Sequence, residues 1–335
     1  GRPQWGMDDP TMALLDDGQL LTLTQDQGRE TLAMTPLTGG APTLLGEPGD
    51  SFGQLRTDGT NWVCLAQGMA RPVAIYGVLN PDLPPRRLRS AWAMPWAPAC
   101  VSSPRSFSAS GPAGPVHAWY YPPTHSHCRL PDRELPPLLV RVHGGPTGSS
   151  SPALSPKIQF WTSRGFAVAD VNYSGSSGFG RAYRDRLDGR WGELDVTDCV
   201  VVAEGLANAG LADRQRLLIS GGSAGGYTAL QALVQPGVFR AGASYYGISD
   251  LAALARDTHK FESRYLDRLV GPWPASEALY RQRSPIHRLA ELRVPILILQ
   301  GSEDPVVPPN QAEMMVAALK ARGIPVAYHL FVGES

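Results

Sequence analysis

Leu217-Leu218-Ile219-Ser220-Gly221-Gly222-Ser223-Ala224-Gly225-Gly226, followed by Tyr227-Thr228-Ala229-Leu230-Gln231-Ala232-Leu233, is the stretch whose reading decides the fold. An apolar, strand-like run enters a G-x-S-x-G and leaves as a helix-like run. Placed so, the motif makes a nucleophile elbow: the turn is too tight for side chains at Gly221 and Gly225, and the serine is forced out above the sheet. Ser223 is the candidate nucleophile. The turn also leaves the first N–H groups of the helix unpaired beside the attacked carbonyl, which makes the Ala224 amide an oxyanion donor. Glycine-rich strand-to-helix turns also cradle phosphates, but the Lys-Ser/Thr pair of a P-loop is missing here and no G-x-G-x-x-G spacing occurs.

Working outward, a second oxyanion donor is expected from an earlier strand end, where His143-Gly144-Gly145-Pro146 follows the strand candidate Leu138 to Val142. Gly145 is the first choice and Gly144 the second. His143, at a strand end beside backbone donors, reads as structural. The acid is expected after a later strand, and Ile296-Leu297-Ile298-Leu299-Gln300-Gly301-Ser302-Glu303-Asp304 supplies Asp304 to orient an imidazole, with Glu303 as the rival carboxylate. Chain order in this architecture is Ser, Asp, His. His329, which alone follows Asp304, falls within the apolar run Val326 to Phe331 rather than beyond it, and reads as a strand-face residue. The sequence is therefore expected to stop short of its catalytic histidine.

Beyond residue 115, apolar strand candidates (Leu138 to Val142, Phe166 to Val171, Leu217 to Ser220, Gly242 to Tyr246, Pro295 to Gln300, Val326 to Phe331) alternate with helical stretches near 156–164, 193–208, 224–234, 259–269 and 309–322. Such alternation implies an α/β domain with a mostly parallel sheet covered on both faces. Residues 98–137 read as a Pro-, Ser- and His-rich connector with one strand, Val116 to Tyr121. Before it, short alternating stretches are punctuated by the turn pairs Asp17-Gly18 and Asp58-Gly59, which lie 41 residues apart. At that offset Leu21 falls on Trp62, Leu23 on Cys64, Leu32 on Val73 and Met34 on Ile75. A period near 41 suits four-stranded propeller blades. The expected division is 1–115, a partial β-propeller of two to three blades, and 116–335, the α/β domain; an ordinary small β domain is the alternative for the first part.

Composition limits the function. The 335 residues carry 30 Lys+Arg and 30 Asp+Glu, a formal net charge of zero, so no electrostatic case exists for nucleic acid or an anionic membrane. The four cysteines form no C-x-x-C pair, and neither a disulfide framework nor a zinc site is expected. No run of 18 apolar residues and no secretion signal occurs, which makes the cytoplasm the expected compartment. Nothing in the sequence decides for or against a homo-oligomer.

Taken in order, Tyr120-Tyr121-Pro122-Pro123, His143-Gly144-Gly145-Pro146, Asn172-Tyr173-Ser174-Gly175-Ser176-Ser177-Gly178-Phe179-Gly180, Trp191-Gly192, the elbow at Ser223, Thr258-His259-Lys260-Phe261-Glu262-Ser263-Arg264-Tyr265 and Gly301 to Pro308 resemble the prolyl oligopeptidase family of serine peptidases, in its acylaminoacyl-peptidase-like bacterial branch. The resemblance covers residues 117–335 strongly and the preceding stretch weakly. It implies an α/β-hydrolase fold preceded by a propeller that restricts entry to short peptides, and cleavage of short or N-blocked peptides through an acyl-enzyme, without metal or organic cofactor. It further implies a histidine directly after Gly333-Glu334-Ser335, and an apolar substrate wall at Val307 and Phe261. A carboxylesterase and a noncatalytic binding scaffold are the alternative functions, since a fold does not fix a substrate.

Overall fold

The computed structural model describes residues 9–47, 50–235, 237–257 and 264–335. Alternating apolar residues build two antiparallel four-stranded sheets in the first ninety residues. The first holds β1 (Met12–Leu14), β2 (Gln19–Asp26), β3 (Arg29–Pro36) and β4 (Thr43–Leu45); the second holds β5 (Ser51–Thr57), β6 (Trp62–Gln67), β7 (Ala74–Val78) and β8 (Arg86–Ser90). Strand order follows chain order in each, as in propeller blades. The two share one core, to which Leu21, Leu23 and Leu32 contribute from one side and Leu55, Trp62 and Cys64 from the other.

The 41-residue repeat holds for Leu21 with Trp62 and Leu23 with Cys64, all four buried. It does not hold in the next strands. Leu32 pairs with Leu23 while Tyr76 pairs with Cys64, so the structural offset there is 76 − 32 = 44, and Leu32 and Met34 correspond to Tyr76 and Val78 rather than to Val73 and Ile75. The cause is loop length. Gln27 and Gly28 alone join β2 to β3, both at positive φ (48° and 69°), whereas residues 68–73 separate β6 from β7.

After the connector, β9 (Arg105–Gly111) and β10 (Gly114–Tyr121) form a hairpin on an eight-stranded sheet completed by β11 (Leu138–Val142), β12 (Ala167–Asn172), β13 (Leu217–Gly222), β14 (Ala241–Tyr245), β15 (Ile296–Gly301) and β16 (Val326–Phe331). The order is β16-β15-β14-β13-β11-β12-β10-β9. Strands β11 to β16 are parallel, and β10 runs antiparallel to β9 and β12. The compositional break at 115 thus falls inside β10. Strand β9 lacks an apolar run yet belongs to the large sheet, because pairing with β10 satisfies its backbone.

The helices are α1 (Pro156–Thr162), α2 (Arg181–Arg184), α3 (Leu194–Asn208), α4 (Ala224–Leu233), α5 (Leu251–Asp257), α6 (Tyr265–Leu269), α7 (Glu277–Gln282) and α8 (Asn310–Ala321). Of the stretch expected over 259–269, residues 259–263 lie outside the described residues and the remainder holds α6. One sheet face is covered by α3, α4 and α8, which bury Val140, Val142, Val171, Leu217 and Ile219 together with Ile296 and Ile298. On the other face α1 packs Ile158 and Trp161 against Leu139, Val168 and Leu218. Cover on that face is partial among the described residues: register aligns Leu297 with Ala327 and Leu299 with His329, and both β16 residues are exposed. The architecture is an α/β-hydrolase domain preceded by two propeller blades.

Because the two blades meet through one core, Leu32→Ala is expected to lower the unfolding free energy by about 2–5 kcal/mol. Urea unfolding followed by fluorescence measures it, and a loss under about 1 kcal/mol would contradict a shared, close-packed core.

Candidate active site

Ser223 stands between β13 and α4 at φ 56° and ψ −126°. For a residue with a side chain this conformation costs about 1–3 kcal/mol and persists only where the surroundings dictate it. They do so through the main chain. The Ser223 amide donates to Tyr245 O at 3.0 Å, and Ser223 O accepts from the Tyr227 amide at 3.0 Å. A Cβ on Gly221 would overlap Gly225 O, one on Gly225 would overlap Val142 O, and one on Gly226 would stand 2.7 Å from Gly247 Cα. The start of α4 is therefore pressed against the end of β11 with no room for side chains.

The loop leaving β11 passes directly over this turn. A Cβ on Gly144 would lie 3.5 Å from Ser223 Cβ. Gly145 sits at φ 117°, where a Cβ would come within 2.6 Å of Gly148 N, so the position requires glycine. Neither the Gly145 nor the Ala224 amide donates to any group among the described residues. A cavity of about 30 Å³ opens here, lined by Gly145, Trp191, Ser223, Ala224, Tyr265 and Val307 among others. Val307, 2 % exposed, lines the same cavity as Ser223. Phe261 lies outside the described residues. Trp191 and Tyr265 were visible only as members of motifs, since nothing in local periodicity shows which aromatic residues the fold brings together. Tyr246 also escapes sequence reading as a site residue: at φ 42° it directly follows β14, and its Oη would meet a Cβ on Gly222 at 2.9 Å.

Asp304 lies on the loop after β15. Its Oδ1 accepts from the amides of Val306 and Val307, both at 2.9 Å, which fixes the carboxylate and leaves Oδ2 without a hydrogen bond among the described residues. Glu303 is held only through its backbone, whose amide donates to Glu334 O at 2.9 Å, and its side chain is exposed. Ser302 N donates to Phe331 O and Gly333 N to Ser302 Oγ, so residues 331–334 fold against this acid loop. His329 pairs with Leu299 on β16, three strands from β13 and so about 14 Å to the side.

His143 is closed to base catalysis by its hydrogen bonds. Its Nδ1 lies 2.9 Å from Gly144 O, which can only accept, so Nδ1 carries the proton; Nε2 then accepts from Ser176 Oγ at 2.7 Å. Burial lowers its pKa below the ordinary histidine value, which keeps the ring neutral. Its ring stacks on Tyr173 at 4.3 Å, and Tyr173 Oη donates to both His143 O and Pro146 O.

Behind the site, buried Asp195 on α3 joins the Trp191 loop to α4. Its carboxylate accepts from Gly192 N at 2.7 Å and from Thr228 Oγ1 at 2.6 Å. Burial raises its pKa to about 6, outweighing these hydrogen bonds. Between the ordinary value of about 4 and about 6 the folded state keeps a proton that the unfolded state has lost, so stability falls as pH rises through that window. Asp195→Asn can keep both contacts, its amide donating to Thr228 Oγ1. It is expected to flatten this slope and to be at least as stable as the parent at pH 7, as denaturant unfolding from pH 4 to 7 would show; an unchanged slope would exclude Asp195 as its source.

Among the described residues no group of three or more His, Cys, Asp or Glu side chains could hold a metal ion, and no helix is long and apolar enough to cross a membrane. The chain spans less than a third of the length of the curated relatives it matches. One is the acylamino-acid-releasing enzyme of Arabidopsis thaliana, 29 % identical over 240 residues, covering 68 % of this chain and 30 % of that protein. A puromycin-hydrolyzing peptidase of Mycobacterium tuberculosis superposes with a TM-score of 0.96 at 43 % identity, over 100 % of this chain and 51 % of that one. A puromycin hydrolase mutant complexed with PGG gives 0.92 at 37 % identity, over 98 % and 52 %. Residues 152–335, more than half the chain, match the profile of one family, and they carry the elbow, the acid loop and the Trp191 wall. This chain belongs to the prolyl oligopeptidase family.

Proposed function

We propose that the chain carries the acyl-transfer centre of a serine peptidase acting on short or N-blocked peptides. The observation that carries this reading is Ser223 held at positive φ beside two undonated amides, Gly145 and Ala224, at the mouth of an apolar cavity. The names of the related proteins, acylamino-acid-releasing enzymes and a puromycin-hydrolyzing peptidase, agree with an amide bond next to a blocked or bulky group as the target.

In this reading Ser223 Oγ attacks the acyl carbon and the Gly145 and Ala224 amides hold the oxyanion. Asp304 orients the histidine that takes the serine proton, through the Oδ2 that its loop leaves open. That histidine is the family's third catalytic residue, which the resemblance puts next to Gly333-Glu334-Ser335; the fold of residues 331–334 against the acid loop brings that segment beside Asp304. Val307 and Trp191 form the apolar wall against the acyl side chain. The leaving amine takes the proton back from the imidazolium, and water repeats the cycle on the acyl-enzyme.

Two measurements on the full-length protein test this. Asp304→Asn is expected to lower kcat by about 10⁴-fold and Ser223→Ala to abolish turnover, and an active Ser223→Ala would refute the assignment. Peptide anilides should be cleaved at least as well as short acyl esters; ester turnover without anilide turnover would make the protein a carboxylesterase instead.

A further inference from the structure

The loop that presents Gly145 is gripped from both sides by segments whose far ends are fastened to the propeller blades. On the first side stand residues 173–179. Tyr173 Oη, Ser176 Oγ and Ser177 all bond the loop: Ser177 N donates to Gly148 O at 2.8 Å and Ser177 Oγ to Thr147 O at 2.7 Å. Tyr173, Ser176 and Ser177 are buried. One residue further on the same segment meets the β2–β3 turn, where Gly178 O accepts from Gly28 N at 3.3 Å. Phe179 then wedges between that turn and the hydrolase sheet. Its ring stacks on His117 at 4.6 Å and 5°, and a Cβ on Gly28 would stand 2.9 Å from Phe179 Cζ.

On the second side the loop runs straight into residues 149–154. Ser149 Oγ accepts from Gln25 Nε2 of the first blade at 3.1 Å. Leu154 N donates to Gly68 O at 2.9 Å, and Leu154 O accepts from Gln67 Nε2 of the second blade at 2.6 Å. Within the hydrolase domain, the loop and its continuation are also anchored through the Thr147 Oγ1 contact with Tyr265 Oη at 2.9 Å and through buried Ser150, whose amide donates to Asn172 Oδ1 at 2.7 Å and whose Oγ donates to Asp170 Oδ1 at 2.9 Å. Two blades and the oxyanion loop thus share one continuous set of main-chain and side-chain bonds.

We propose that Gln25 and Phe179 are positioning residues for acyl transfer: the seated propeller sets where the Gly145 amide points, so the blades form part of the catalytic device and not only a barrier to large substrates. This rests on the oxyanion role proposed above for Gly145. An oxyanion donor acts only within hydrogen-bond reach of the developing charge, and displacement by about 1 Å is enough to cost on the order of 10²-fold in rate. Loosening the strut is therefore felt in kcat, while the acyl pocket, built from Trp191, Tyr265 and Val307, keeps its affinity.

The test uses the full-length protein, with an N-blocked peptide anilide as substrate and a fluorophosphonate as a substrate-independent reporter of Ser223 reactivity. Phe179→Ala and the milder Gln25→Ala are each expected to lower kcat and the fluorophosphonate reaction rate by about 10- to 100-fold, with KM within about twofold of the parent. Phe179→Tyr should restore most of the loss. Because Ser176 and Phe179 act on the same strut, the Ser176→Ala/Phe179→Ala double variant should lose far less than the product of the two single effects. Reduced thermal stability with unchanged kcat and unchanged labelling, or a rise in KM alone, would overturn the proposal, and Gln25→Ala decides the matter if Phe179→Ala fails to fold. A parent protein whose Ser223 does not react with the fluorophosphonate would instead overturn the acyl-transfer reading itself.

Discussion

The architecture of the site depends on a main-chain contact that excludes side chains: the first turn of α4 lies against the carboxyl end of β11, with Gly225 touching Val142 O and Gly144 over Ser223. The setting of the proposed nucleophile follows from this contact. It bends the chain hard enough to hold Ser223 at positive φ, and Ala224 and Gly145, which line one cavity with the serine, keep amides without hydrogen-bond partners among the described residues. The strain at Ser223 is small beside the packing that imposes it, since α4 is buried along its whole length between α3 and the sheet.

Around that contact the polar groups differ in burial and in what holds them. His143 is held neutral by burial and by hydrogen bonds at both ring nitrogens, and so serves as a rigid spacer between the oxyanion loop and Ser176. Asp195 carries its raised pKa behind the cavity wall, where it ties the Trp191 loop and α3 to α4. Asp304, by contrast, is half exposed and keeps one oxygen bound to two amides. Burial shifts His143 and Asp195, which hold loops and helices together, so a shifted pKa does not by itself mark a reacting group.

The elbow, the acid loop and seven of the eight large-sheet strands were legible in the sequence because each couples a local pattern to a local structure: an apolar run, a glycine-bracketed serine, an acid after a strand. The propeller signal was legible in its turn pairs and in the second strands, and it failed at Val73 and Ile75, where a longer β6–β7 connection shifts the register by three. Strand β9 was missed because its residues Arg105–Gly111 owe their conformation to pairing with β10, which no periodicity in Arg-Ser-Phe-Ser-Ala-Ser-Gly announces. Helices α2, α5 and α7 were missed: each has only four to seven residues, and no longer periodic stretch surrounds it as 156–164 and 259–269 surround α1 and α6. Of the cavity wall, Val307 was named through the family resemblance, whereas Trp191 and Tyr265 were not, because they line one cavity with it only after segments distant in sequence converge.

The two blades share a strand plan but meet the hydrolase surface through different devices, a two-residue turn under Phe179 in the first and the end of β6 with the following Gly68 in the second. A propeller is usually regarded as a set of interchangeable modules. Here the edge of each blade is cut to fit its own seat, so exchanging one blade for the other would preserve the β architecture and break the fit. The repeat is free to diverge where it faces solvent and is constrained in length where it faces the catalytic domain, which makes the short β2–β3 turn the place where an inserted residue would be tolerated least.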